Sequence, residues 1–172
     1  MPVSLALGLL ILRLGLGFTI AGHGAQKLFG WFEGPGFTKQ KEGMQKQGFT
    51  PPALWATLVV LGELGGGLSV ALGFLTPLGA AGIVGAMAMA MVKVHWKNGF
   101  WNSKRGLEFP LALFTIAVAI GIIGPGTYSL DGLFGIALPE QLLFVVLAVV
   151  AILVDVVGLI ISRPAVTQSA TQ

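Results

Sequence analysis

Five apolar segments alternate with polar or glycine- and proline-rich connections along the chain. They cover residues 3–22, 52–75, 78–94, 107–123 and 141–161. A helix needs about 20 apolar residues, with a range of about 17 to 25, to cross the hydrocarbon core of a bilayer. The third and fourth segments lie at the short end of that range. The pattern therefore predicts an all-α, polytopic membrane helix bundle, one domain over residues 1–163 with five transmembrane helices.

The composition of the 172-residue chain supports the same class of protein. Hydrophobic residues make up 55%, charged residues only 10%, and the mean hydropathy is +0.87, outside the range of soluble domains. Cysteine is absent, which excludes disulfides, thiolate metal ligation and any cysteine-bound cofactor for the chain alone. A redox role would therefore need a cofactor from elsewhere.

The basic residues outside the first segment lie in connections that share one side of a five-helix bundle. They are Lys27, Lys39, Lys41, Lys46, Lys93, Lys97, Lys104, Arg105 and Arg163. The positive-inside rule makes this side cytoplasmic, with the N-terminus outside and the C-terminus in the cytoplasm. The first segment lacks a basic n-region and a clear cleavage site, so we expect a retained helix rather than a signal peptide. The polar residues 164–172 are expected to form a disordered tail.

Two charged residues, Arg13 and Glu63, interrupt the first two apolar segments. Counted from the segment ends at the first connection, both lie about 15 Å deep, which predicts an Arg13–Glu63 ion pair. The pair either lines a ligand cavity or proton path, or only locks two helices together. Asp155 in the last segment adds a second acidic group, and Gly158 one turn later indicates packed surroundings.

A group of polar residues lies where three helices reach the basic side: His23, Gln26 and Lys27, then His95 and Asn98, and then Glu108. Two histidines near acidic groups are what a quinone headgroup site or a proton entry point requires, but either can also be a hydrogen-bonding interfacial residue. The spacing of His23, His95 and Glu108 matches no ligand motif, so no metal site is expected. An interfacial belt accounts for most of the nearby aromatic residues, which are Trp31, Phe32, Trp55, Trp96, Phe100 and Trp101.

Two connections carry further signals. Residues 24–51 combine Gly34-Pro35-Gly36 with lysines and aromatics, which indicates a short amphipathic helix or lid, with Glu42 and Lys46 spaced as a helical pair. Residues 124–132 carry glycine and proline turn signals, and a structural cap over the helix ends is favoured there over a ligand site.

The ordered set of these residues resembles the DoxX family of small bacterial membrane proteins over about residues 5–131. The matching pieces are Arg13 with Gly17-Phe18, residues 23–28, Glu63 with Gly65-Gly66, Leu72-Gly73 and Thr76, His95 with Asn98-Gly99-Phe100, Gly106-Leu107-Glu108, Gly124-Pro125-Gly126 and Ser129-Leu130-Asp131. The resemblance implies a multi-pass protein of the bacterial plasma (inner) membrane with four helices, to which this chain adds a fifth that carries Asp155. Some relatives look like the membrane subunit of a thiosulfate:quinone oxidoreductase, and others are linked to redox-stress complexes. Residues matching the family pattern include Arg13, Lys27, Glu63, His95 and Glu108.

These observations support two main hypotheses of function. In the first, the chain is a quinone-interacting, redox-associated membrane subunit with Glu63, His95 and Glu108 as catalytic residues. His95 or Glu108 exchanges protons with a quinol oxygen, Arg13 stabilises the anionic form, and Glu63 with Asp155 relays the proton. The ligand-binding candidates are Arg13, His23, Gln26, Lys27, Asn98 and Asp155.

In the second hypothesis the chain is a non-enzymatic scaffold or assembly factor whose basic loops bind a partner protein. A small transporter is a weaker alternative, because no inverted repeat is evident. The lipid bilayer is the expected surrounding. A membrane or redox protein and further copies of the chain are candidate partners, and no nucleic acid is expected.

Overall fold

The structure, a computed structural model, describes residues 1–162, so Arg163 and the predicted tail at 164–172 lie outside the described residues. Within residues 1–162 every regular element is helical. We number the helices α1 (Val3–Phe29), α2 (Gly36–Lys46), α3 (Pro52–Leu72), α4 (Thr76–Asn98), α5 (Glu108–Ile123), α6 (Leu130–Phe134) and α7 (Glu140–Ile161). The expected all-α polytopic fold is confirmed.

Four of these helices, α1, α3, α4 and α7, are long and apolar enough to cross a membrane by length and composition. The apolar α5 is shorter, with 16 residues and a length of about 24 Å. It nevertheless runs beside α1 and α4 from one group of connections to the other. Its crossing of the bilayer stays a prediction.

Successive long helices run in opposite directions, so the connections between them lie at two ends of the bundle. We call the end that carries residues 30–51, residues 96–107 and Ser162 the basic end. The other end, with residues 73–75 and 124–139, is called the opposite end. The hydrophobic core lies between α1, α3, α4, α5 and α7, around buried residues such as Ile20, Val70 and Ile83.

The first helix is longer than the sequence pattern predicts. It continues past Gly22 to Phe29 and ends at Gly30, whose φ of 75° allows its N–H to bond to the Gln26 carbonyl. This helix end needs a left-handed residue, a conformation that glycine adopts without strain. His23, Gln26 and Lys27, which were expected where the first helix reaches the basic side, therefore lie in the last turns of α1.

The helices α3 and α4 each contain a π-helical turn. In α3 it spans Leu61–Gly65 and includes Glu63, and in α4 it spans Met91–His95. Such turns widen an α-helix by one residue per turn and are often found at functional sites. The π-helical turn in α3 changes the direction in which side chains near the middle of that helix point.

The first connection forms the predicted short helix, α2. Its Met44 is buried, and with Phe49, Trp55, Ala56 and Met89 it forms a second apolar cluster at the basic end. The exposed side of α2 carries Glu42 and Lys46. This cluster fixes the basic end of α3 against α4.

Candidate functional site

The charged residues of α1 and α3 do not form the predicted pair. Glu63 is buried and forms an ion pair with Lys27, one helical turn from the end of α1. The Lys27 side chain is 26% exposed and the Glu63 side chain 3% exposed. The prediction of an Arg13–Glu63 ion pair is therefore wrong.

Arg13 instead holds the connection at the opposite end. Its guanidinium donates hydrogen bonds to the Pro125 carbonyl and, at 2.6 Å from Nη2, to the Tyr128 carbonyl. A Cβ on Gly73 would lie 2.5 Å from Arg13 Nη1, so only glycine leaves room for the guanidinium there. The arginine acts as an internal donor that satisfies two loop carbonyls, which a bilayer could not do.

The packing register of α1 against α3 explains the error. The helices are antiparallel, with Gly17 beside Ala71 and Gly24 beside Leu64. In this register Glu63 lies at the level of Ala25, about 12 residues of helix or 18 Å from Arg13. Because the predicted depths assumed that α1 ends at Gly22, they placed Arg13 too near the basic end. A role for Arg13 beside Glu63 in proton transfer is excluded by the same distance.

Asp131 completes the opposite end, and in the sequence analysis it was named in a turn and in the family resemblance but not as a site residue. It is buried and accepts hydrogen bonds from the Leu75 N–H at 2.9 Å and the Thr76 N–H at 3.3 Å. These are free N–H groups at the start of α4, where a carboxylate is favoured. The predicted structural cap at residues 124–132 agrees with these contacts.

Two candidate ligand-binding residues of α1 have contacts at the basic end. The His23 ring lies edge-on to Phe109, with 6.1 Å between ring centroids. Gln26 donates a 3.4 Å hydrogen bond to the Phe32 carbonyl and so ties the first connection to α1. Both residues are half-buried, and their ligand-binding roles stay predictions.

The remaining basic-end candidates hold the third connection together. His95 Nδ1 lies 2.6 Å from the Arg105 carbonyl, and Asn98 Nδ2 donates to the same oxygen at 3.1 Å. The carboxylate of Glu108 accepts a hydrogen bond from the Asn102 N–H at 2.8 Å. These bonds fix the hairpin between α4 and α5. The catalytic roles of His95 and Glu108 stay predictions, as does that of Glu63.

A cavity lies between α3, α4 and α7, with a volume of about 520 Å³. Its lining is almost wholly apolar, and glycines of α3 and α4 supply much of it: Gly62, Gly65, Gly66, Gly79, Gly82 and Gly85. Because these glycines carry no side chain, the helices approach closely at some levels and leave space at others. Arg13 and the Lys27–Glu63 ion pair lie outside this cavity.

Two polar side chains on the cavity wall have a buried atom with no hydrogen-bond partner among residues 1–162. These atoms are Trp55 Nε1, a donor, and Asp155 Oδ2, an acceptor. The Trp55 ring packs on Gly158, one turn after Asp155, so the two groups are separated by about 4.5 Å along α7. Unpaired buried polar groups are rare and costly, and they call for a partner.

Trp55 was missed as a candidate because a tryptophan at the start of an apolar helix is typical of an interfacial belt. It is only 7% exposed, whereas Trp31, Trp96 and Trp101 are 58% or more exposed, as belt residues should be. Gly158 was the available signal, since it indicated a close contact on the Asp155 face. Among the candidate ligand-binding residues, Asp155 is the one on the cavity wall. No cluster of three or more metal-ligating side chains occurs in the described part of the chain.

Comparison with known proteins identifies the family. The DoxX family model matches residues 8–96, which is more than half of the chain. The chain belongs to the DoxX family. This DoxX protein is 33% identical to inner membrane protein YqjF of Escherichia coli K12 over 107 residues, covering 60% of the chain and 78% of YqjF. No solved structure matches it. The chain is thus a DoxX-family integral membrane protein with an inner membrane relative.

Proposed function

We propose that this DoxX protein binds a lipid-soluble quinone in the cavity between α3, α4 and α7, as the quinone-handling membrane subunit of a redox system. The observation that carries the proposal is the pair of unpartnered buried atoms, Trp55 Nε1 and Asp155 Oδ2, on side chains of a wall that is apolar apart from these two residues and Ser69. Binding sites for small molecules combine such a wall with a few placed polar groups.

The size and chemistry of the cavity suit a quinone ring. A dry cavity of about 150 Å³ binds benzene, and this cavity is more than three times as large. The indole N–H of Trp55 can donate to a quinone carbonyl oxygen. The carboxylate of Asp155 can accept a hydrogen bond, and then a proton, from a quinol hydroxyl. A quinol ring thus satisfies both buried atoms, because its oxygens accept as well as donate, whereas a quinone ring satisfies only the Trp55 N–H.

This proposal places proton exchange at Asp155 instead of at an Arg13–Glu63 pair. Arg13 and Glu63 are both engaged elsewhere, and α3 separates Glu63 from the cavity, whose wall at that level is formed by Gly62 and Gly65. Asp155 is the acidic residue on the wall of this cavity, and in the proposal it exchanges the proton. The electrons come from a partner redox protein, since the chain has no cysteine to hold a carrier.

Quinone content of the purified protein tests the proposal. We expect the wild type to retain quinone or to bind an added ring analogue, measured by chromatography of the lipid extract and by titration. Trp55→Phe removes only the N–H, and Asp155→Asn keeps the shape but loses the acceptor charge. Each should weaken binding by about three- to tenfold, the value of one hydrogen bond.

A blocking variant provides a matched control. A Cβ on Gly65 or on Gly15 would meet nothing within 4 Å, but only Gly65 lines the cavity. Gly65→Phe should therefore abolish quinone binding, and Gly15→Phe on α1 should leave it intact. Equal binding by these two folded variants, or no binding by the wild type, would refute the proposal.

A scaffold role is the second candidate, and the exposed lysines of α2 favour it. Lys39, Lys41 and Lys46 lie on the exposed surface of that helix and form a basic patch at the basic end. Such a patch suits an acidic partner surface. A folded protein that carries no quinone, but co-purifies with another subunit and loses it in Lys39→Glu, would support this role.

A further inference from the structure

A second cavity adjoins the first between the basic end of α3 and α7. Its volume is about 440 Å³, and Trp55, Leu58 and Val154 line both cavities. Apart from Trp55 and Thr50, its lining side chains are aliphatic or proline. The two spaces therefore meet along one wall, one with polar groups and the other nearly without them.

The second cavity faces the lipid side of the bundle. Leu54 is 51% exposed and Leu153 is 57% exposed, and both line it. A molecule whose polar ring lies in the first cavity must lead any attached chain out to the bilayer. The gap between α3 and α7 provides that route. The α7 side chains that line the second cavity are all aliphatic.

We infer that the second cavity holds the first part of an isoprenoid tail, so that the protein recognises a prenylated quinone rather than a free ring. This inference rests on the proposed function. A five-carbon isoprene unit is close in size to benzene, and an apolar cavity of about 150 Å³ holds one benzene molecule. The space of 440 Å³ therefore takes about three units, and later units lie in lipid.

The signature of this arrangement is a rise in affinity that stops at a definite tail length. In a bilayer the tail is already out of water, so the gain comes from closer packing against the cavity wall. We expect about threefold tighter binding per unit for the first three units and no gain thereafter. Affinities are to be expressed per mole fraction of quinone in the bilayer, so that partitioning cancels.

The test uses the full-length protein in nanodiscs of one lipid composition and quinones that carry zero to six isoprene units. Leu153→Trp narrows the second cavity only, since Leu153 is absent from the first. Val156→Trp is the control, because Val156 is 43% exposed and lines neither cavity. We expect Leu153→Trp to remove the dependence of affinity on tail length and to leave the affinity for the ring-only analogue within about twofold. Val156→Trp should leave all these affinities unchanged.

The outcomes separate the two proposals. If the ring-only analogue binds and tail length has no effect on the wild type, the second cavity holds bilayer lipid and the inference fails while the proposed function stands. An equal gain in affinity from a straight alkyl chain of the same length would also overturn the inference that the second cavity recognises an isoprenoid tail. If no quinone binds, the proposed function fails and the inference with it.

Discussion

The Lys27–Glu63 ion pair should contribute a measurable coupling free energy between α1 and α3. Lys27→Met leaves a carboxylate that is 3% exposed without its partner, and Glu63→Gln leaves an unpaired ammonium on a side chain that is 26% exposed. Removing one member of a fully buried pair costs about 3 to 5 kcal/mol, and exposed pairs are worth about 0 to 1 kcal/mol. Because Lys27 is partly exposed, we expect Lys27→Met to lower the free energy of unfolding by about 2 to 3 kcal/mol.

A double-mutant cycle isolates the interaction from other effects of each substitution. The double variant Lys27→Met/Glu63→Gln should lose less than the sum of the single losses, by about 1 to 2 kcal/mol. Residues more than about 10 Å apart without shared partners are additive to within about 0.5 kcal/mol. The matched control is Arg13→Met/Glu63→Gln, which should be additive because Arg13 lies about 18 Å away along the bundle.

The assay is equilibrium unfolding in mixed micelles, followed by circular dichroism, for the wild type, the three single variants and the two double variants. A coupling energy between Arg13 and Glu63 as large as that between Lys27 and Glu63 would refute the helix register. Additivity in both cycles would show that the Lys27 contact does not stabilise the bundle.

Three further predictions concern the Arg13 contacts, the packing of α1 on α3, and the orientation in the membrane. Arg13→Lys cannot serve both loop carbonyls at once and should cost about 2 kcal/mol, and a cysteine at Thr127 should then react faster with a thiol reagent. Gly17→Ala should destabilise the bundle by about 1 to 3 kcal/mol in the same unfolding assay, because its Cβ would lie 2.5 Å from Ala71 N. Gly15→Ala, with open space around its Cβ, should be neutral within about 0.5 kcal/mol. In the cysteine-free chain, Lys41→Cys should be labelled by an impermeant reagent only from the cytoplasm and Thr127→Cys only from outside, and the reverse pattern would overturn the predicted orientation.

The sequence predicted the class of fold because segment length and hydropathy alone determine which helices can enter a bilayer. It misplaced the end of α1, because the apolar run stops at Gly22 whereas the helix continues through polar residues to Phe29. In the bundle Gly24 allows α1 to touch Leu64 on α3. Helix continues until Gly30, where a left-handed residue is required.

The candidate site was less predictable, because it depends on the register between helices. A single sequence gives the depth of a charge along its own helix but not the neighbour that it meets. Arg13 therefore could not be assigned to the Pro125 carbonyl, nor Glu63 to Lys27, before the helices were packed. Asp155 was recognisable from its acidic group and Gly158, but Trp55 was hidden by its position at the start of an apolar helix.

Photo-crosslinking with an azido-substituted prenyl quinone tests the central claim most directly, that the cavity between α3, α4 and α7 is the quinone site. After illumination in nanodiscs, mass spectrometry of peptides should find the label on the segments around Trp55 and Asp155. Excess unlabelled quinone, or Gly65→Phe, should remove it. Saturable label confined to the hairpin between His95 and Glu108 would contradict the account.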